Sequence, residues 1–198
     1  MSGGEGMSDG LHPAVAGSQP YMLADRQGSA SRDEPLFESE EGRERLEKIL
    51  SRYPSKRPAL LPLLNYAQER NGWVSGSAME EIADALELTP AYVHSVATFY
   101  TMYNRRPIGR YLVQVCTNIS CHLNRGEEVM ERFLQETGTR PGETSEDGLF
   151  TVMEVECLGA CGFATVVQVN DEYVEDVTPE KVPGIVKELR DRAGQGGA

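Results

Sequence analysis

No stretch of this 198-residue chain approaches 18 consecutive apolar residues, so no segment is expected to span a membrane. The N-terminus lacks a basic segment followed by an apolar one, which predicts no secretory signal and a cytoplasmic setting. Positive charge is scarce: 19 Lys and Arg against 31 Asp and Glu leave a net charge of −12. Such a chain repels phosphate backbones and anionic headgroups, so nucleic acid is excluded as a partner, and membrane association is expected only through other subunits. Histidine is limited to His12, His94 and His122. There is no Ser-His-Asp set, no pair of catalytic acids and no phosphate loop, and no G-x-G-x-x-G follows a strand. Cysteine is missing from residues 1–115 and then occurs four times within 46 residues, as Cys116, Cys121, Cys157 and Cys161. In a reducing compartment, clustered cysteines are metal ligands or redox thiols more often than disulfides.

The first 39 residues are rich in Gly, Ser, Ala and Asp without apolar periodicity and read as a disordered tail. Residues 40–107 read as a helical bundle. Leu46, Ile49, Leu50 and Tyr53 keep helical spacing up to Pro54, and "RPALLPLLNYAQERNGW" makes a second helix ending at Asn71-Gly72. Ser77 and Glu80 have capping-box spacing for a third helix, and Thr89-Pro90 opens a fourth. Phe99, Tyr100 and Tyr103, at the end of that fourth helix, are expected in the core. Residues 108–198 change pattern. "YLVQVC" (111–116) and "LFTVMEVEC" (149–157) read as strands, with a helix over 125–137 between them. "TVVQV" and "EYVEDV" flank Asn170-Asp171 as a hairpin, and Thr178-Pro179 caps a last helix. The order β-α-β-β-β-α is compatible with a thioredoxin-like α/β sandwich.

On this outline Cys116 ends the first strand, Cys121 lies in the loop before the helix, Cys157 ends the second strand and Cys161 lies in the loop before the hairpin. If the two strands are neighbours, both pairs sit on loops at one sheet edge and four thiols converge. The gaps are four and three residues. Zinc accepts four thiolates and a plant-type 2Fe–2S centre includes C-x4-C, while a 4Fe–4S centre or redox thiols also fit the count. A two-histidine Rieske set does not fit, because His12 is in the tail and His94 in the bundle; His122 is read as a bystander. Gly159 and Gly162 allow either backbone amides aimed at sulfur or simply a tight turn.

Two segments now carry a resemblance. "DGLFTVMEVECLGAC" (Asp147 to Cys161) and "VATFYTMYNRRPIGRYLVQVCTNISC" are similar to the thioredoxin-like 2Fe–2S subunit of respiratory complex I, and the likeness covers about residues 40–192. The resemblance implies an α/β fold with an N-terminal helical bundle followed by a thioredoxin-like 2Fe–2S ferredoxin domain. It implies one 2Fe–2S cluster held by Cys116, Cys121, Cys157 and Cys161. It also implies a flavoprotein partner that carries FMN, oxidises NADH and joins the rest of a peripheral arm on the inner face of the cell membrane. The chain would then be an electron-transfer subunit of NADH:quinone oxidoreductase, a side acceptor beside the flavin, with no complete active site of its own. The bundle is expected to dock the flavoprotein. Similar chains serve NAD-dependent formate dehydrogenases and bidirectional hydrogenases, and a zinc-stabilised binding module is the alternative from another class. One position departs from the family pattern: Ala164-Thr165 stands where Ala/Gly-Pro is usual. A trans bond is expected there, because a non-proline cis bond costs about 2.5–4 kcal/mol. An oxidised four-cysteine 2Fe–2S centre carries two negative charges and gains a third on reduction, so an acidic chain predicts a low midpoint, below about −200 mV.

Overall fold

The structure, a computed structural model, describes residues 33–195. Most of the expected tail lies outside the described residues. The chain divides into two compact units, with the boundary between Gly109 and Arg110.

The first unit is helical: α1 (Glu40–Leu50), α2 (Leu60–Asn71), α3 (Gly76–Leu86) and α4 (Pro90–Phe99). Ser39 caps α1 by accepting from the Gly42 N–H, and Thr89 caps α4 by accepting from the Tyr92 N–H. Pro58 falls in a single 3-10 turn before α2 and Pro62 in the first turn of α2, where no N–H is missed. Gly72, at φ 78°, ends that helix in the left-handed conformation glycine favours. The α3 cap is Ser75, which accepts from the Ala78 N–H at 3.0 Å, not Ser77. The helix starts two residues earlier than the S-x-x-E spacing suggests, and Ser77 bonds Asp33 instead. The core is built from Leu60, Leu63, Leu64, Ile82, Val93 and their neighbours. It also takes in Leu36, which is fully buried, while Glu81 accepts from the Leu36 N–H and Asn71 donates to the Glu34 carbonyl. The residues just before Glu40, assigned by composition to the tail, thus pack onto the bundle. The aromatic expectation is corrected. Tyr103 is buried and donates to the Leu61 carbonyl at 3.0 Å, but Phe99 is 77% exposed and Tyr100 is also exposed.

The second unit is a four-stranded sheet in the order β2-β1-β3-β4, with β1 (Tyr111–Cys116), β2 (Phe150–Val155), β3 (Val167–Val169) and β4 (Glu172–Val174). β1 and β2 run parallel, with Cys116 opposite Val155. A parallel pair requires a crossover, here α5 (Ile119–Leu123) and α6 (Gly126–Thr137). β3 pairs antiparallel with β1 and with β4, around the expected Asn170-Asp171 turn. α7 (Val182–Gln195) closes the unit, starting one turn after Thr178-Pro179. Tyr111, Val113 and Val115 of β1 join Val129, Phe133, Phe150, Val182 and Val186 in one core. Side chains alternate along a strand, so Cys116 falls on the other face of the sheet from Val115. Asp147 secures the start of β2: it accepts from the Leu149 N–H and the Ser145 hydroxyl and pairs with Arg190 of α7 at 2.9 Å.

The Ala164–Thr165 peptide bond is cis, contrary to the expectation. Tertiary partners occupy this residue. The Thr165 carbonyl accepts from the Val177 N–H at 2.9 Å, and its buried hydroxyl is also bonded, so local preference does not decide the geometry.

Candidate iron–sulfur site

Because β1 and β2 are parallel neighbours, the loops leaving their C-terminal ends emerge at the same sheet edge. One loop carries Cys116 and Cys121, the other Cys157 and Cys161.

Cys116 is the last residue of β1 and is 3% exposed; its N–H donates to the Val166 carbonyl at 3.2 Å. Cys121 does not lie in a plain loop. It sits inside α5, 2% exposed. Asn118 caps that short helix by accepting from the Ile119 N–H at 2.7 Å, and the Asn118 carbonyl accepts from the His122 N–H. Burial pushes the Cys121 thiol up to about 11; the Val166 N–H opposes this, while the neighbouring thiols of Cys116 and Cys161 add to it. Gly126 lies against Cys116 and Cys121: a Cβ there would stand 2.8 Å from the Cys121 carbonyl oxygen and 3.0 Å from that of Cys116. The Thr117 hydroxyl donates to Glu154 of β2, tying the first loop to the second strand.

Cys157 and Cys161 are exposed. Cys157 lies two residues beyond the end of β2, not in the strand, and Cys161 opens a 3-10 turn, Cys161–Phe163. The Gly159 N–H donates to Cys157 Sγ at 3.3 Å, and Gly159 sits at φ 73°. Both readings of this glycine therefore hold, since the turn it permits aims an amide at sulfur. Gly162 shows neither feature. Tyr173 donates to the Leu158 carbonyl at 2.7 Å and the Asp176 N–H to the Phe163 carbonyl at 3.0 Å, bracing the loop from β4.

His122 pairs with Glu127 at 3.2 Å on the exposed side of the helix. Among the described residues no three His, Cys, Asp or Glu side chains gather on one point. Residues that sequence reasoning missed are Asn118, Thr117 and Gly126, together with the contacts of Thr165. Only Gly126, at the head of the "GEEVMERF" helix, had a local signal.

The thioredoxin-like [2Fe-2S] ferredoxin family model matches residues 46–190. An NADH-quinone oxidoreductase subunit from Rickettsia bellii is 44% identical over 147 residues, 73% of this chain and 88% of that protein. Its namesake from Mycobacterium bovis is 43% identical over 143 residues, 72% of this chain and 57% of that one. In fold, the chain is similar to an NAD+-reducing [NiFe]-hydrogenase in its H2-reduced state, with a TM-score of 0.61 and 19% identity over 68% of this chain and 22% of the other. By family model and by sequence identity, this chain belongs to the thioredoxin-like [2Fe-2S] ferredoxins.

Proposed function

We propose that this chain is the 2Fe–2S subunit of an NADH:quinone oxidoreductase. In this reading Cys116, Cys121, Cys157 and Cys161 hold one cluster, and a flavoprotein partner with FMN and NADH supplies the electrons. The complex, not this chain, provides attachment to the inner face of the cell membrane; no described helix is long and apolar enough to cross one. The observation that carries the reading is the parallel pairing of β1 and β2, which brings both cysteine loops to one sheet edge.

The residues fit the group. All four candidate donors are sulfur, grouped as pairs, which suits two irons. Gly126 lets the backbone of α6 come against the Cys116 and Cys121 carbonyls, where a Cβ would not fit, and so holds these two donors close together. When bound, a 2Fe–2S centre takes up and returns one electron at a time. The chain's own contribution is electrostatic and steric. The Gly159 amide donates to the sulfur of Cys157 and favours added negative charge there, and the Val166 N–H acts in the same sense on the Cys121 thiol. Burial of Cys116 and Cys121 keeps water from one side of the site. Exposed apolar residues accompany the cysteines: Ile119 and Leu123 on α5, and Phe163 after Cys161. In the helical unit Phe99 and Met102 are exposed as well. Such residues suit a protein partner over each unit, the bundle docking the flavoprotein.

The test is anaerobic reconstitution followed by electron paramagnetic resonance of the reduced chain. A red-brown protein with one 2Fe–2S spin per chain is expected; a colourless protein that retains zinc overturns the reading. The hydrogenase likeness in fold favours one second assembly, the small subunit of an NAD-linked hydrogenase or formate dehydrogenase. Capture of the tagged chain from its own cells decides between them: NADH-driven quinone reduction supports the first, hydrogen or formate oxidation the second.

A further inference from the structure

The dipeptide Thr165–Val166 reaches both buried cysteines. The Val166 carbonyl accepts from the Cys116 N–H at 3.2 Å, and the Thr165 side chain meets the Cys121 backbone. The Thr165 hydroxyl donates to the Asn124 carbonyl at 2.8 Å and shares its proton with the Cys121 carbonyl at 3.2 Å. Thr165 is 1% exposed, so no water replaces these bonds readily. α5 is only five residues long, and its Cys121 carbonyl has one main-chain partner, the Asn124 N–H at 3.1 Å. A single side chain, from the segment before β3, adds a second donor to that carbonyl and one to the Asn124 carbonyl beyond the helix.

We propose that Thr165 is a positioning residue for the iron–sulfur centre: its hydroxyl pins the Cys121 and Asn124 carbonyls and so fixes the backbone that carries Cys121 Sγ. This deepens the reading above and rests on it. The hydroxyl matters here, not the bulk of the side chain. Valine has nearly the same shape but takes the hydroxyl from the Asn124 carbonyl and the second donor from the Cys121 carbonyl, whereas serine keeps the hydroxyl. The consequence falls on the Cys121 segment and not on the rest of the unit.

The experiment compares the full-length wild type, T165V and T165S. In the apo chain, alkylation of Cys121 is followed residue by residue with mass spectrometry. T165V is expected to raise the Cys121 rate about five- to tenfold, the size of one lost hydrogen bond, with Cys116 unchanged and T165S near wild type. After reconstitution, T165V is expected to show a broadened, shifted resonance signal and a displaced midpoint, and T165S the wild-type values. Wild-type behaviour of T165V in labelling, signal and midpoint overturns the proposal. So does a T165S as impaired as T165V, which would assign the effect to the methyl group. Lost ellipticity in T165V, with Cys116 labelled as fast as Cys121, also overturns it, because a role in the core then accounts for the residue. If the wild type itself forms no 2Fe–2S signal, the cluster reading fails, and the labelling ratio still decides the positioning role.

Discussion

The two cysteine loops leave the same sheet edge but are built differently. The Cys116–Cys121 loop buries both its cysteines, starts on the last rung of β1, passes through a capped helix and is closed from behind by Thr165, Val166 and Gly126. The Cys157–Cys161 loop is exposed, lies beyond the end of β2 and is held mainly through main-chain carbonyls, by Tyr173 and the Asp176 amide. One half of the site is thus shaped by the fold itself, and the other half lies on the surface where a partner can reach it. A side carrier needs both: a rigid wall that fixes the sulfurs, and an accessible wall through which an electron can enter.

The largest expected effect separates the halves by ligand removal. Cys116→Ser should abolish the visible spectrum of the reconstituted chain, because a buried oxygen on a fixed strand end cannot move to recover the bond. Cys157→Ser, on an exposed loop, should leave a weaker but measurable chromophore. Equal loss from both variants would break the comparison. Next come the glycines. Gly126→Ala drives a Cβ to within 3.0 Å of two backbone carbonyls that cannot yield, so a loss of about 1–3 kcal/mol is expected by denaturant titration of the apo chain. Gly159→Ala meets no atom within 4 Å but stands at φ 73°, so its expected loss is about 1 kcal/mol. Gly162→Ala has neither problem and should be silent. Any other order among the three would mean that the exposed loop is the more tightly built.

A third measurement uses exposure alone. In the apo chain at neutral pH, a small alkylating reagent should modify Cys157 and Cys161 first, and Cys116 and Cys121 at least about tenfold more slowly, since reactivity follows access. Uniform labelling would show that the buried wall is not preformed.

Much of this was legible in the sequence, for physical reasons that also mark its limit. Strand runs of β-branched residues and a helix between them imply a parallel pair, so the common sheet edge of the cysteines could be inferred from pattern. The position of Cys121 within a helix could not, because "NISCHL" is too short to show a period, and its helix exists through the Asn118 cap and the Thr165 hydroxyl. Thr165 itself was visible only as a departure from a family pattern; its role depends on a hydrogen bond spanning 41 residues. Phe99 was misjudged although the period was available. At 100° per residue it lies about 200° from the buried Ala97, whereas Val93 and Ala97 share a face. Tyr103 is past the helix end, where no period applies.

The smallest expected effect comes from outside both loops. Partial burial tends to raise the Asp147 carboxyl, but hydrogen bonds from the Ser145 hydroxyl and the Leu149 N–H and the charge of Arg190 prevail and hold it below its usual value. A carboxylate with a lowered folded pKa contributes stability above its unfolded value, near 3.8, and loses it as pH falls through the lower folded value. Asp147→Asn should therefore weaken the chain at pH 7 and become indistinguishable from wild type in the acid range below that value. Asp147 and Arg190 are both more than a third exposed, so solvent screening limits the difference to under about 1 kcal/mol. Because Asp147 anchors the start of β2 and both cysteine loops leave the opposite ends of their strands, the variant should bind its cluster with an unchanged resonance signal. An altered signal would show that the exposed loop takes its geometry from the whole of β2, and the contrast between a built wall and an open one would narrow.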